Sequence, residues 1–233
     1  MTGGPAVVRH IVRADSALVE ELSKAGAATV HEAAWRTGLL APNLRPIYPG
    51  ARVAGTAVTV LCPAGDNLMI HLAIELCRPG DVLVVALASE CTDGLVGELI
   101  ATSLRAHGVR GVVVDAGVRD VAELRRMDFP VWSRAVSAQG TTKRAAGWVN
   151  VPVVCGGQLV QPGAVVVADD DGVVCVPAEL APEVAKRCRA RVEREHAMRE
   201  RLVGGELSAD INDLRAVARE LGVEYVDGSG PDD

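Results

Sequence analysis

Arg119-Asp120, an adjacent cation and carboxylate, and Gly97-Glu98, a glycine followed by an acid, frame one stretch that reads GELIATSLRAHGVRGVVVDAGVRD. Their types suit the binding of a small anionic substrate and a metal. A guanidinium pairs with carboxylates in a fixed fork geometry. Carboxylates are the usual ligands of a hard divalent cation. The first backbone N–H groups of a helix have no internal partner and collect anions. The local elements bring these groups towards one place. Gly97 to Gly108 has helix composition, and Val109 to Val114 is valine-rich, as in a buried strand that ends at Asp115-Ala116-Gly117. Ligands of open α/β folds sit beyond the carboxyl ends of strands. Arg119, Asp120 and Glu98 are therefore the first candidates, and Asp115 is a lesser one that could equally cap a turn.

Each of these residues also has a purely structural reading. An Arg-Asp pair after a strand is commonly a surface ion pair. Gly97 could permit close packing of helix on strand, and Glu98 could simply favour the helix dipole.

The rest of the chain must position that stretch. Of its 233 residues 49% are apolar but only 3% aromatic, so the core is aliphatic, as in α/β folds with covered parallel strands. The expectation is one domain spanning residues 1–233, without an internal repeat or a separating linker. The net charge of −6 argues against a nucleic-acid partner. No apolar run approaches the roughly 20 residues of a membrane span, and the N-terminus lacks a secretory h-region. The six cysteines, without CxxC or another metal spacing, read as packed, reduced thiols and hence a cytoplasmic location.

In order, residues 10–37 read as helical, with Asp15 or Ser16 as a cap, a break at Ser23 to Gly26 and a second helix from Thr29. Leu39 to Gly50 reads as a loop, Arg52 to Val60 as a strand, Asp66 to Cys77 as a helix capped by Asp66, and Val82 to Ala86 as a buried strand. Phe129 to Trp132 is a further short strand. Asn150 to Val154 and Gln158 to Val160 flank a turn, and Val165 to Ala168 pairs with Val173 to Pro177 through Asp169-Asp170-Asp171-Gly172. That acidic run lacks the spacing of a calcium loop and reads as a hairpin turn. Pro182 to Arg201 is a highly charged helix ended by Gly204-Gly205, with a frayed tail expected after about Asp227. His71 and His107 have no second histidine at ligand spacing, and Trp132 and Trp148 read as packing residues.

Several segments together carry a family resemblance: Gly65-Asp66-Asn67, Cys91-Thr92-Asp93-Gly94, Gly97-Glu98-Leu99, Asp115-Ala116-Gly117-Val118-Arg119-Asp120, Phe129-Pro130-Val131-Trp132-Ser133, Ser137-Ala138-Gln139-Gly140-Thr141 and Val165-Val166-Val167-Ala168-Asp169-Asp170-Asp171-Gly172. The chain resembles the 4-hydroxy-4-methyl-2-oxoglutarate / 4-carboxy-4-hydroxy-2-oxoadipate aldolases. These are class II pyruvate aldolases of the RraA-like superfamily, which includes the regulator of ribonuclease E activity A. The match runs from roughly Gly50 to Gly205.

The resemblance implies an α/β/α sandwich with a mostly buried central sheet and a C-terminal helix over about 182–203 that packs on a neighbouring subunit. It implies homotrimers or homohexamers with active sites at subunit interfaces. Asp120 matches the metal-ligating aspartate, completed largely by water around Mg²⁺ or Mn²⁺. Arg119 matches the arginine on the pyruvyl group. Gly97, Glu98, Leu99 and Ile100 match the segment whose backbone amides hold the substrate carboxylate. Glu98 stands where the family has an acid near the metal's waters. A further acid comes from a neighbour's C-terminal helix, with Glu195 the candidate by spacing and Glu193 and Glu200 close to it.

Retro-aldol cleavage leaves a pyruvate enolate, whose charge is held by a lysine Schiff base or a Lewis-acid cation. Lys24, Lys143 and Lys186 lie in no recognisable apolar pocket motif, which favours the metal. The implied activity is cleavage of 4-carboxy-4-hydroxy-2-oxoadipate to pyruvate and oxaloacetate in aromatic-acid catabolism. The methyl analogue would give two pyruvates, and oxaloacetate decarboxylation would be a side activity. The alternative is a non-catalytic binding protein of the ribonuclease E regulator type. A demethylmenaquinone methyltransferase finds no support, because no glycine-rich cofactor motif follows the first strand.

Overall fold

A computed structural model describes residues 4–226, so the expected fraying after Asp227 lies outside the described residues. The chain divides into two compact units, one up to Arg189 and one from Ala190. Among the described residues no helix is long and apolar enough to cross a membrane.

The first unit is built on a sheet of mixed direction, and the fold is α/β as expected. Its centre is four parallel strands in the order β1 (Val53–Cys62), β2 (Asp81–Leu87), β4 (Gly111–Val118) and β5 (Val131–Val136). A short strand β3 (Gly94–Val96) lies along the last residues of β4. On the other side β1 pairs antiparallel with β6 (Val165–Asp169), which folds back on β7 (Gly172–Val176). Asp169 pairs with Gly172, so the acidic run is a tight hairpin turn. Asp169 accepts from the Asp171 and Ala27 N–H groups, and Asp170 from that of Gly50. The run thus serves the fold.

Uninterrupted Val, Leu and Ala on these strands require cover on both faces. Val58, Val60, Val85 and Val114 pack under α3 (Leu68–Ile74), α4 (Glu98–Ala106) and α5 (Val121–Arg126). Val82, Val84 and Val113 pack with Trp132 beneath the segment around Leu40, Leu44 and Tyr48 and the hairpin that carries Val153 and Val160. A third cluster joins α1 (Ser16–Ala25), α2 (Ala27–Ala33) and the start of α6 (Ala181–Val203) to Val165, Val167, Val174 and Val176. Asp15 caps α1, accepting from the Ala17 N–H at 2.7 Å. The helix does not reach back to residue 10, because capping fixes its start. The second unit holds the far end of α6, closed at Gly204-Gly205, and two short helices, α7 (Ser208–Ile211) and α8 (Leu214–Glu220).

One boundary differs in a way that bears on the candidate site. β4 does not stop at Val114 but runs through Asp115-Ala116-Gly117 to Val118, because β3 gives it a partner there. Gly117 makes this approach possible, since a β-carbon would stand 2.0 Å from the Thr92 carbonyl oxygen. The strand's alternation turns Asp115 away from α4. Its carboxylate lies 2.6 Å from the Arg134 guanidinium and accepts from the Gly156 N–H at 2.8 Å. Asp115 is thus taken up by Arg134 and by the amide of the turn at Gly156.

None of the six cysteines is in a disulfide, and all but Cys91 are buried. Burial pushes the thiols of Cys62, Cys77 and Cys175 up to about 12. A disulfide-exchange reagent at pH 8 should label Cys91 alone in the native protein and all six thiols in denaturant. Rapid native labelling of a second thiol, read by mass spectrometry, would contradict this packing.

Candidate functional site

The site grows out of the way β3 and β4 end side by side. The Arg119 N–H donates to the Val96 carbonyl at 2.9 Å, fastening the exit of β4 to the exit of β3. Asp120 then adopts a left-handed conformation, φ 56° and ψ 38°, which aspartate tolerates better than most residues. It stands at the start of α5, where its carbonyl accepts from the Leu124 N–H. This geometry returns the Asp120 carboxylate to the start of α4, where Oδ2 accepts from the Glu98 N–H at 3.0 Å. Arg119 Nε lies 3.8 Å from the same oxygen, an ion pair rather than a hydrogen bond. The two side chains are 48% and 40% exposed, so both remain open to a ligand.

Gly97 makes the approach possible. Its backbone is extended, at φ −145° and ψ −171°, so the requirement is one of space. A β-carbon there would stand 2.5 Å from Asp120 Oδ2 and 3.0 Å from Arg119 Cγ. Ala101 N–H is bonded to the Gly97 carbonyl, and the amides of Leu99 and Ile100 precede that bond at the open end of the helix. Leu99 is 77% exposed, whereas the Ile100 side chain is buried in the core, so Ile100 can offer a ligand only its backbone. The Glu98 carboxylate lies along the helix, accepting from the Thr102 hydroxyl at 2.8 Å.

Gly97, Leu99, Ile100, Arg119 and Asp120 line a cleft of about 170 Å³. Asn67, His71, Thr141 and Lys143 line it too, and sequence reading assigned none of these to a site. Asp66, 2% exposed, ties the start of α3 to the segment around Lys143. One carboxylate oxygen accepts from the Leu68 N–H at 2.9 Å and caps α3. The other accepts from the Thr142 hydroxyl at 2.6 Å and from the N–H groups of Arg144 and Ala145 at 2.6 and 3.1 Å. Burial alone would raise the Asp66 pKa, but these hydrogen bonds outweigh it and bring it down to about 2. Partial desolvation and, second, the Lys143 charge hold His71 below the ordinary imidazole value. Asn67 donates to the Leu95 carbonyl at 2.9 Å, while its buried Oδ1 has no partner among the described residues.

Glu193, Glu195 and Glu200 belong to the second unit, where Glu195 pairs with Arg191 and Glu200 lies 3.7 Å from His196. His107 is bonded to the Ser103 carbonyl, and Trp132 is fully buried with its indole N–H on the Asp169 carbonyl. Among the described residues no group of three or more His, Cys, Asp or Glu side chains is placed to hold a metal. A lone, half-exposed carboxylate suits a hard cation that keeps most of its waters, as Mg²⁺ does, and not a tetrahedral zinc centre. Asp120 therefore fits the kind of metal that the resemblance implies.

A family model for RraA-like proteins, described as Aldolase/RraA, matches residues 18–175. The chain is 31% identical over 170 residues to a Halalkalibacterium halodurans protein that carries the provisional name 4-hydroxy-4-methyl-2-oxoglutarate aldolase. That alignment covers 73% of this chain and 80% of the relative. A Burkholderia multivorans protein with the same provisional name is 39% identical over 142 residues, covering 61% of this chain and 86% of the relative. Among solved structures, Streptomyces coelicolor RraAS2, described as an unusual member of the RNase ES inhibitor RraA family, superposes with a TM-score of 0.74. It is 29% identical, over 82% of this chain and 99% of that one. The chain belongs to the RraA-like family.

Because the Asp66 pKa is depressed on folding, its contribution to stability is complete above about pH 4 and is lost as the pH falls towards about 2. Asp66→Asn should cost about 2 kcal/mol at pH 7. Urea denaturation should show the difference from wild type shrinking between pH 4 and pH 2. A difference that is constant with pH would contradict the account.

Proposed function

We propose that this chain is a divalent-metal-dependent pyruvate aldolase. It would cleave 4-carboxy-4-hydroxy-2-oxoadipate to pyruvate and oxaloacetate, and 4-hydroxy-4-methyl-2-oxoglutarate to two pyruvates. The observation that carries this reading is the meeting of Arg119, Asp120 and the open start of α4 across the gap left by Gly97. The provisional names of the two relatives support it.

In this reading Asp120 holds Mg²⁺ or Mn²⁺, which supplies Lewis-acid charge for the 2-oxo group and the developing enolate. The amides of Leu99 and Ile100 receive the C1 carboxylate, as helix starts receive anions. Arg119 orients the pyruvyl group and faces the oxygen on which negative charge develops. Glu98, steadied by Thr102, receives the C4 hydroxyl proton through a water. As that proton leaves, the electron pair of the C3–C4 bond moves into the C2–C3 enolate and C4 becomes the carbonyl of the released oxo acid. Protonation at C3 completes pyruvate. Oxaloacetate decarboxylation generates the same enolate and is the expected side activity. A C-terminal acid from a neighbouring subunit, Glu193, Glu195 or Glu200, is the second proton-handling candidate in a homotrimer or homohexamer.

The likeness to RraAS2 favours a second reading, a non-catalytic binding protein of the ribonuclease-inhibitor type. The two readings separate in a lactate dehydrogenase-coupled assay of pyruvate release. Chelator-treated protein should be inactive and recover with Mg²⁺ or Mn²⁺. Full activity after chelation, or borohydride trapping of substrate on a lysine, would refute the metal route. No turnover of either substrate with either metal would favour the binding protein.

A further inference from the structure

A second cavity, of about 570 Å³, lies away from the cleft that holds Asp120. Thr56 of β1, Asp81 at the start of β2 and Arg110 just before β4 line it, so it sits at the amino ends of the parallel strands β2 and β4. Arg119 and Asp120 lie beyond the other end of β4. The length of that strand, on the order of 25 Å, separates the two places. A cavity of this size is in the range of small-molecule sites.

Its charged groups are built in. The Asp81 side chain is 1% exposed. It accepts from Arg13 Nε and Nη2 at 2.9 and 2.8 Å and from the Arg78 N–H at 2.8 Å. Arg13 Nη2 also donates to the Leu76 carbonyl at 3.1 Å, and Nη1 has no partner among the described residues. Arg110 is held at both ends, its N–H on the Asp81 carbonyl at 2.8 Å and its Nη1 on the Ala54 carbonyl at 3.0 Å. It has no carboxylate partner among the described residues. Asp15, next in the chain to Ser16 of the lining, is taken up by capping α1. The lining thus carries two guanidiniums against one carboxylate, a surplus of one positive charge.

A second, independent observation points to a ligand. Thr56 is 5% exposed, and its hydroxyl makes no hydrogen bond among the described residues. Thr59 on the same strand, by contrast, donates to the Val151 carbonyl at 2.6 Å. Buried hydroxyls are ordinarily paired, and an occupant of the cavity would pair this one. Ala14, Val19 and Pro79 add apolar surface beside it.

We propose that this cavity binds a small organic acid with one carboxylate and an apolar body. Arg110, Arg13 Nη1 and the Thr56 hydroxyl donate to the carboxylate, and the body lies along Val19 and Pro79. One surplus charge matches a single carboxylate. A phosphate ion carries more charge than the lining offsets and has no part for the apolar surface. The inference is independent of the aldolase reading.

The test is calorimetry on the full-length protein with three probes: benzoate, the uncharged benzyl alcohol and inorganic phosphate. Wild type should bind one benzoate with a Kd at or below about 1 mM and benzyl alcohol at least about tenfold more weakly. Phosphate should not displace benzoate at comparable concentration. Arg110→Gln, at an exposed position, should weaken benzoate at least about tenfold, and the near-isosteric Thr56→Val about fivefold. Thermal melts establish that each variant is folded. The proposal is overturned if benzoate does not bind, if benzyl alcohol binds as tightly, or if phosphate displaces benzoate with equal or higher affinity. It is also overturned if either folded variant binds benzoate as wild type does, the result expected were benzoate held at Arg119 instead.

Discussion

One contact organises the candidate site: the Asp120 carboxylate accepting the first amide of α4 across the space where Gly97 has no side chain. Two strand ends, a left-handed aspartate and a helix start are locked by it into one geometry. The contact occupies one oxygen of Asp120 and leaves the side chain half exposed. It also brings the anion-seeking end of a helix dipole beside a half-exposed carboxylate. An opposed pair of this kind is what a chelating oxo acid needs, since its carboxylate and oxo oxygen must be held together. Placing it where parallel strands end follows the general preference of α/β folds, and the added strand β3 supplies the local framing.

Another part of the cleft's lining depends on a carboxylate that is buried and has a different task. Asp66 spends its hydrogen-bonding capacity on one hydroxyl and three backbone amides, which is why it stays ionised despite its burial. One aspartate is thus left accessible to bind, and the other is enclosed to build. Asp115 is a third variation, paired with Arg134 and a backbone amide within the sheet. Exposure and partners, more than residue type, separate the three roles.

The portion of this arrangement legible in sequence is the portion that is local. Gly97, Glu98, Arg119 and Asp120 lie in one strand-and-helix unit, and the motifs around them pointed to both a family and a chemistry. The acidic turn at Asp169 to Gly172 was equally readable, because hairpin turns are encoded by neighbouring residues. Asp115 was misplaced because β3 is only three residues long, too short to show a period, and its pairing carries β4 on to Val118. That Asn67, His71 and Lys143 line the same cleft was not legible for another reason. The contact between Asp66 and Thr142 joins segments far apart in the chain, and no local pattern announces it. α7 and α8 were not expected either, being short and without a buried face.

The central claim is that Asp120 holds the cation on which cleavage depends, and the most direct measurement is pyruvate release by Asp120→Asn. Asparagine tolerates the left-handed backbone and keeps an oxygen for the Glu98 amide, so the fold should survive while the negative charge is removed. The account predicts that a variant with a wild-type circular dichroism spectrum and melt loses at least about a hundredfold in kcat/KM at saturating Mg²⁺. Wild-type turnover by that folded variant would contradict it.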